Sequence, residues 1–158
     1  MAKRIIDFNH ISDKLTEDQV RELRAYYCSY HRKCWAFKQA TKRLKKYKLI
    51  GNSLSVIFAG SGVASAIATS GISLVAISTV SLLIQGYMKH KNIDLRIQNW
   101  LYARQSYQHL IDTIKNNMRA GEFNIDSLHI MMNNIDSYVA DNAPVIDKFL
   151  QKYDKIFT

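Results

Sequence analysis

From Leu49 to Met88 the chain reads LIGNSLSVIFAGSGVASAIATSGISLVAISTVSLLIQGYM, forty consecutive residues without Asp, Glu, Lys or Arg. One helix that crosses a bilayer needs about 20 apolar residues, so a run of this length accommodates two. Ala68-Thr69-Ser70-Gly71 supplies small and polar residues suited to a tight turn. The pattern predicts a transmembrane hairpin with spans Leu49 to Ala68 and Ile72 to Met88, each roughly 25–30 Å long at 1.5 Å per residue.

The charges around this run are distributed unevenly. Between Glu22 and Asp94 there is no acidic residue, while eleven Lys and Arg side chains fall there, and the rest of the chain sets eleven basic residues against thirteen acidic ones. Lys42, Arg43, Lys45, Lys46 and Lys48 crowd one end of the apolar run, and Lys89 and Lys91 the other. Basic flanks stay on the cytosolic side and meet anionic lipid headgroups. The expectation is therefore a two-span membrane protein with both termini cytosolic and the lipid bilayer as its first partner. Tyr47 and Tyr87, at opposite ends of the run in sequence, suit the interface where aromatic rings with polar tips settle. A basic cluster can also mark a soluble nucleic-acid-binding protein, but here the charges bracket an uncharged stretch, which disfavours nucleic acid as a partner.

Outward from the hairpin, both arms read as helices. Thr16-Glu17-Asp18-Gln19 has the form of a capped helix start. Behind it Val20, Leu23, Tyr27, Tyr30, Cys34, Phe37, Thr41 and Leu44 alternate spacings of three and four, the coiled-coil seam. Ile93, Ile97, Trp100, Arg104, Tyr107, Ile111, Ile114 and Met118 do the same on the other side, and Gly121 ends that run. The register continues from Leu44 through Lys48, Gly51, Ser55, Phe58, Gly62, Ser65 and Thr69. Backwards from Ile93 it passes His90, Gly86, Leu83, Thr79, Ala76 and Ile72. Large residues suit a seam in water, where apolar burial drives association, and small ones suit a seam in lipid, where close packing must replace that drive.

These readings predict an all-α chain, a long antiparallel helical hairpin with a two-helix transmembrane part, a cytosolic coiled-coil stalk and short C-terminal helices. As one unit it comprises an N-terminal segment over 1–15, a basic amphipathic helix over 16–48, the hairpin over 49–88 with its turn near 69–71, a second stalk helix over 89–120, and C-terminal helices over 124–157. The last carry Ile125, Leu128, Met132, Ile135 and Val139, then Val145, Phe149, Leu150, Tyr153 and Ile156 after Pro144. Gly51, Ser55, Gly62, Ser65, Thr69, Ala76, Thr79 and Gly86 form the expected pore or helix-packing face, since small and hydroxylated residues serve either purpose.

Catalytic chemistry is absent from the motifs. No phosphate loop, nucleophile elbow, HExxH or CxxC occurs. Cys28-x2-His31-x2-Cys34 has metal-ligand residue types, but on a helix those offsets spread the side chains around too wide an arc. Neither enzyme activity, cofactor nor metal is expected, and the cysteines are expected as reduced thiols. The N-terminus through His10 is mixed and polar, without a cleavable signal pattern.

Tyr27 to Ser55, with Tyr30-His31-Arg32-Lys33-Cys34-Trp35-Ala36-Phe37-Lys38-Gln39-Ala40-Thr41-Lys42-Arg43-Leu44 running into Asn52-Ser53-Leu54-Ser55, resembles the SLATT domain, a two-transmembrane domain associated with nucleotide-sensing bacterial conflict systems. The resemblance implies an oligomeric, pore-forming effector without enzyme activity. The function expected from the sequence is thus a homo-oligomeric channel or pore-forming effector. The alternative is a non-conducting scaffold or virion-membrane component that docks a cytosolic protein partner through its flanking helices.

Overall fold

The computed structural model describes residues 11–68, 72–143 and 146–157, with side chains outside 58–78. Among the described residues the regular structure is all helical: α1 Glu17–Ala68, α2 Ile72–His90, α3 Ile93–Ala120, α4 Ile125–Asn142 and α5 Asp147–Phe157. They group into two compact units where the sequence led us to expect one. The first contains the chain up to Thr41 together with Gln98 onward; the second is Lys42–Ile97.

In the first unit α1 begins with a reciprocal cap. Gln19 N donates to Thr16 Oγ1 (3.3 Å) and Thr16 N donates to Gln19 Oε1 (3.0 Å), satisfying two amides that lack intrahelical partners. Leu23, Tyr27, Tyr30, Cys34 and Phe37 are buried on α1, and Trp100, Tyr107, Ile111, Ile114 and Met118 on α3. Ala36, Ala40, Ala103 and Leu110 are buried beside them. The apolar stripe is therefore wider than a two-position seam, because α4 and α5 cover the flanks with Leu128, Met132, Val139 and Tyr153. Burying each large apolar side chain contributes about 1.5–3 kcal/mol, so the stripe is the main stabilising element of this unit.

Gly121 ends α3 with φ +72°, and Glu122 N reaches back to Asn117 O at 3.0 Å, the closing bond of a left-handed cap. A Cβ there would lie 2.6 Å from Ser12 Oγ and 2.8 Å from Lys14 Cβ. Asn124 then starts α4 by accepting from Ser127 N at 3.1 Å.

The second unit pairs the Lys42–Ala68 part of α1 with α2 and the first turn of α3. The second arm of the hairpin is not one continuous helix: Lys91-Asn92 forms a turn, with Asn92 at φ +47°. Asparagine is among the few residues that tolerate this conformation, and no Gly or Pro announced it. The expected turn at 69–71 lies outside the described residues.

The expected membrane location is corrected here. Among the described residues no helix is long and apolar enough to cross a membrane, which overturns the two-span placement with both termini cytosolic. Polar residues recur among the apolar ones, Asn52, Ser53 and Ser55 on α1, and Thr79, Ser81 and Gln85 on α2. Lys48 and Lys89 close in from the ends.

Gly121→Ala forces a side chain into a left-handed position already occupied by Ser12 and Lys14, and lowers unfolding stability by about 1–3 kcal/mol. Chemical denaturation of the two proteins measures it.

Candidate functional site

Two antiparallel helices in the second unit meet through polar atoms rather than apolar ones. Ser55 and Ser81 are buried. Gln85 Nε2 donates to Ser55 Oγ (2.7 Å), Ser55 Oγ lies 2.9 Å from Ser81 Oγ, and Ser81 Oγ donates to the Ser55 carbonyl (3.3 Å). With the Ser81 proton on that carbonyl, Ser55 Oγ donates to Ser81 and the circuit is closed within the pair. One turn away, Gly51 packs so closely on Met88 that a Cβ would sit 2.6 Å from its Sδ.

The described outer surface of the same unit carries many large apolar side chains. Leu49, Ile50, Leu54, Val56, Ile57, Val80, Leu82 and Leu83 are exposed, Val56 to 71% and Leu82 to 68%, together with Tyr47 and Tyr87. Among the described side chains the pair is inverted relative to one in water: it buries two serines at its contact and exposes aliphatic side chains, beside exposed Asn52, Ser53 and Thr79. Exposed aliphatic side chains in this number mark a candidate interaction site.

Of the expected packing face, Gly51 and Ser55 lie at the α1–α2 contact. Thr79 and Gly86 do not. Thr79 is exposed, Gly86 would meet nothing within 4 Å if given a Cβ, and Leu83 is 67% exposed. On α2 the contact runs instead through Ser81, Gln85 and Met88, about two positions from the expected register. The expected register runs backwards from Ile93 through an unbroken helix, and the turn at Lys91-Asn92 shifts it. Gly62, Ser65, Thr69 and Ala76 lie outside the residues whose side chains are described.

The basic residues cluster as the sequence places them. Lys42, Arg43, Lys45, Lys46, Lys89 and Lys91 are exposed. Lys48 is half-buried and pairs with Asp94 at 2.6 Å, which accommodates a charge at an otherwise apolar seam position. Arg43 Nε donates to Tyr47 Oη at 2.7 Å with its guanidinium 5.3 Å from the ring centroid, and Lys91 Nζ lies 5.9 Å from that of Tyr87.

The first unit holds a second polar cluster. Asp136 on α4 accepts from Tyr107 Oη (2.7 Å), Lys33 Nζ (2.8 and 3.0 Å) and Tyr30 Oη (3.2 Å), linking α1, α3 and α4. Burial first, then the Asp136 carboxylate, pushes both tyrosines well above their ordinary 10. Their protons are held firmly, so the cluster is suited to fixing the three helices and unsuited to acid–base work at neutral pH. Asp136 went unnoticed in the sequence. The signal was Tyr at seam positions 30 and 107, whose buried hydroxyls need a partner.

Beside it, His31 Nδ1 lies 2.9 Å from Tyr153 Oη, Arg32 pairs with Asp154, and the Trp35 and Phe157 rings meet edge to face. Cys28 and Cys34 are free thiols, and burial raises both. His31 is engaged with Tyr153 rather than with them. Among the described residues no group of His, Cys, Asp or Glu converges on a metal-sized site.

Comparison with family models, with curated proteins and with solved structures finds no match to this chain.

Asp136→Ala strands a lysine and two hydroxyls together, and costs about 1–3 kcal/mol in denaturant unfolding. His31 titrates below its ordinary 6.5 because of burial first, then Lys115 and Lys38. The unfolded chain therefore takes up this proton at higher pH than the folded one. The stabilisation is complete above 6.5 and is lost as pH falls through the lower folded value. Thermal melts taken downward from pH 7.5 show this loss, and His31→Gln flattens the profile.

Proposed function

We propose that this chain is a non-enzymatic, self-assembling structural protein whose second unit, Lys42–Ile97, is its assembly element. The observation that carries the reading is the inverted surface of that unit. Aliphatic side chains such as Val56, Ile57 and Leu82 are held outward while the buried Ser55 and Ser81 bond each other and Gln85 reaches in to Ser55. An outward apolar face leaves water only by covering itself, and a second copy of the same chain is always available at matching concentration.

The hydroxyl circuit also favours a scaffold over a channel. Side chains that line a water-filled path must offer their polar atoms to it. Ser55, Ser81 and Gln85 offer theirs to one another, which suits a closed helix pair. The resemblance of Tyr27 to Ser55 to SLATT domains supports an oligomer as well. The pore formation it implies draws no support from the described part of the hairpin.

The partner-docking part of the scaffold reading falls to the first unit, where Asp136 ties α4 to α1 and α3 and Tyr153 of α5 packs against Trp35 of α1.

Sedimentation of the full-length protein across a concentration series tests the proposal. The wild type is expected as a defined oligomer. Val56→Glu with Leu82→Glu, both on the exposed face, shifts it toward monomer by at least about tenfold in dissociation constant, since each glutamate must be desolvated at the contact. A wild type that stays monomeric, or a double variant that assembles unchanged, overturns the reading.

A further inference from the structure

On one face of the second unit the two helices border an open groove of about 980 Å³. Its floor is aliphatic, with Leu54, Val80, Leu83 and Ile84. Tyr47 and Tyr87 line it at the end where Lys91 also lies, and Arg43 leans on Tyr47 from the preceding turn. The two cation–tyrosine pairs have matching form: Arg43 and Tyr47 are four residues apart on α1, Tyr87 and Lys91 four apart across the end of α2. The groove is thus apolar along its length, aromatic at its edge, and cationic beyond the aromatic edge.

We propose that this groove is a binding site for an anionic phospholipid at a bilayer surface, with an acyl chain along Leu54, Val80 and Leu83 and the headgroup phosphate between Arg43 and Lys91. The order of chemistries along the groove is the order along such a lipid: hydrocarbon, ester region, phosphate. Tyrosine suits the middle position because its ring is apolar and its hydroxyl polar. The volume falls within the roughly 300–1,000 Å³ of ordinary small-molecule sites.

Charge complementarity selects this occupant over a second copy of the chain. Residues 42–97 carry eight Lys and Arg against one Asp, a net of +7. Two copies brought together at this end would oppose like charges, whereas an anionic headgroup neutralises them. A nucleic acid would satisfy the cations and leave the aliphatic floor unused. Assembly through Val56 and Leu82 and lipid capture in the groove are therefore separate uses of one unit. The lipid proposal does not require a span across the bilayer.

Co-sedimentation of the full-length protein with vesicles tests it, comparing phosphatidylcholine alone with phosphatidylcholine containing phosphatidylglycerol. The protein is expected to partition onto the anionic vesicles roughly tenfold or more above the neutral ones. Arg43→Ser with Lys91→Ser removes most of that preference. Leu83→Ser, an exposed change on the groove floor, weakens binding to the anionic vesicles. Lys148→Ser with Lys152→Ser, two charges removed from the first unit, leaves binding as it was. Circular dichroism and sedimentation of each variant separate lost binding from lost folding or lost assembly. Equal partition onto both vesicles overturns the proposal. So does an unchanged Arg43/Lys91 or Leu83 variant, displacement from vesicles by a single-stranded oligonucleotide with the same residue dependence, or loss of lipid binding only alongside loss of assembly.

Discussion

The contact between the α1 and α3 stripes is the constraint on which the first unit depends. Tyr30 and Phe37 on α1 both rest against the Tyr107 ring on α3, at centroid distances of 5.6 and 5.9 Å. Cys34 lies one turn from each and donates to the Arg104 carbonyl and the Gln108 side chain. With the two helices set in this register, Ser12 N reaches the Met118 carbonyl at the end of α3. α4 must then place Asp136 where two tyrosine hydroxyls and Lys33 already converge. The polar hub is less a source of stability than a selector of position. Sliding α4 along its apolar face by one turn would keep Leu128-type contacts but leave two buried tyrosine hydroxyls and the half-buried Lys33 without an acceptor.

The two units solve the packing of an antiparallel helix pair in opposite ways. In the first, aromatic and branched aliphatic side chains fill the interface, and charged ones face outward, as water demands. In the second, Gly51 makes room for the Met88 side chain, Ser55 and Ser81 bond each other, and aliphatic side chains such as Val56 and Leu82 remain outside. Among the described side chains of that pair the buried ones are Ser55 and Ser81, so apolar burial contributes little to the contact they make. Close approach at Gly51 against Met88 and the Ser55–Ser81–Gln85 hydrogen bonds are what remain. Both are strengthened when water is excluded from the surroundings. A covering layer over the aliphatic face would therefore stabilise the internal contact as well as the external one.

Much of this was legible in the amino-acid order. The Thr16 cap, the α1 stripe from Leu23 to Phe37, the α3 stripe from Trp100 to Met118 and the stop at Gly121 each have a local signal, and each local signal agreed with the others. The change from large to small residues along the α1 seam at Gly51 and Ser55 was visible too. What escaped was non-local or weakly signalled. Asn92 turns the chain with an ordinary residue between two helix-favouring segments, and the register carried through it failed on α2, where Ser81 took the place expected for Thr79. Asp136 drew no notice because its role comes from two tyrosines far away in sequence. The expectation of two membrane spans rests on the length of the uncharged run and takes its polar residues for a packing or pore face, whereas among the described residues no helix is long and apolar enough to cross a membrane.

Those same polar residues explain why the second unit has one register. A helix pair joined only by glycine, alanine and aliphatic contacts can slip by a turn with little loss, since each position offers a similar surface. Ser55, Ser81 and Gln85 remove that freedom. A slip of one turn on α2 would carry the Ser81 hydroxyl roughly 5 Å along the axis, beyond hydrogen-bond reach of both Ser55 atoms, and leave buried polar groups unmatched. The net stabilisation of a satisfied hydroxyl pair is small, about 0.5–1.5 kcal/mol, but the misregistered alternative is higher by the desolvation of every orphaned group. The polar seam thus acts chiefly against the wrong pairings. A single register in turn fixes which aliphatic side chains, Val56 and Leu82 among them, are held outward.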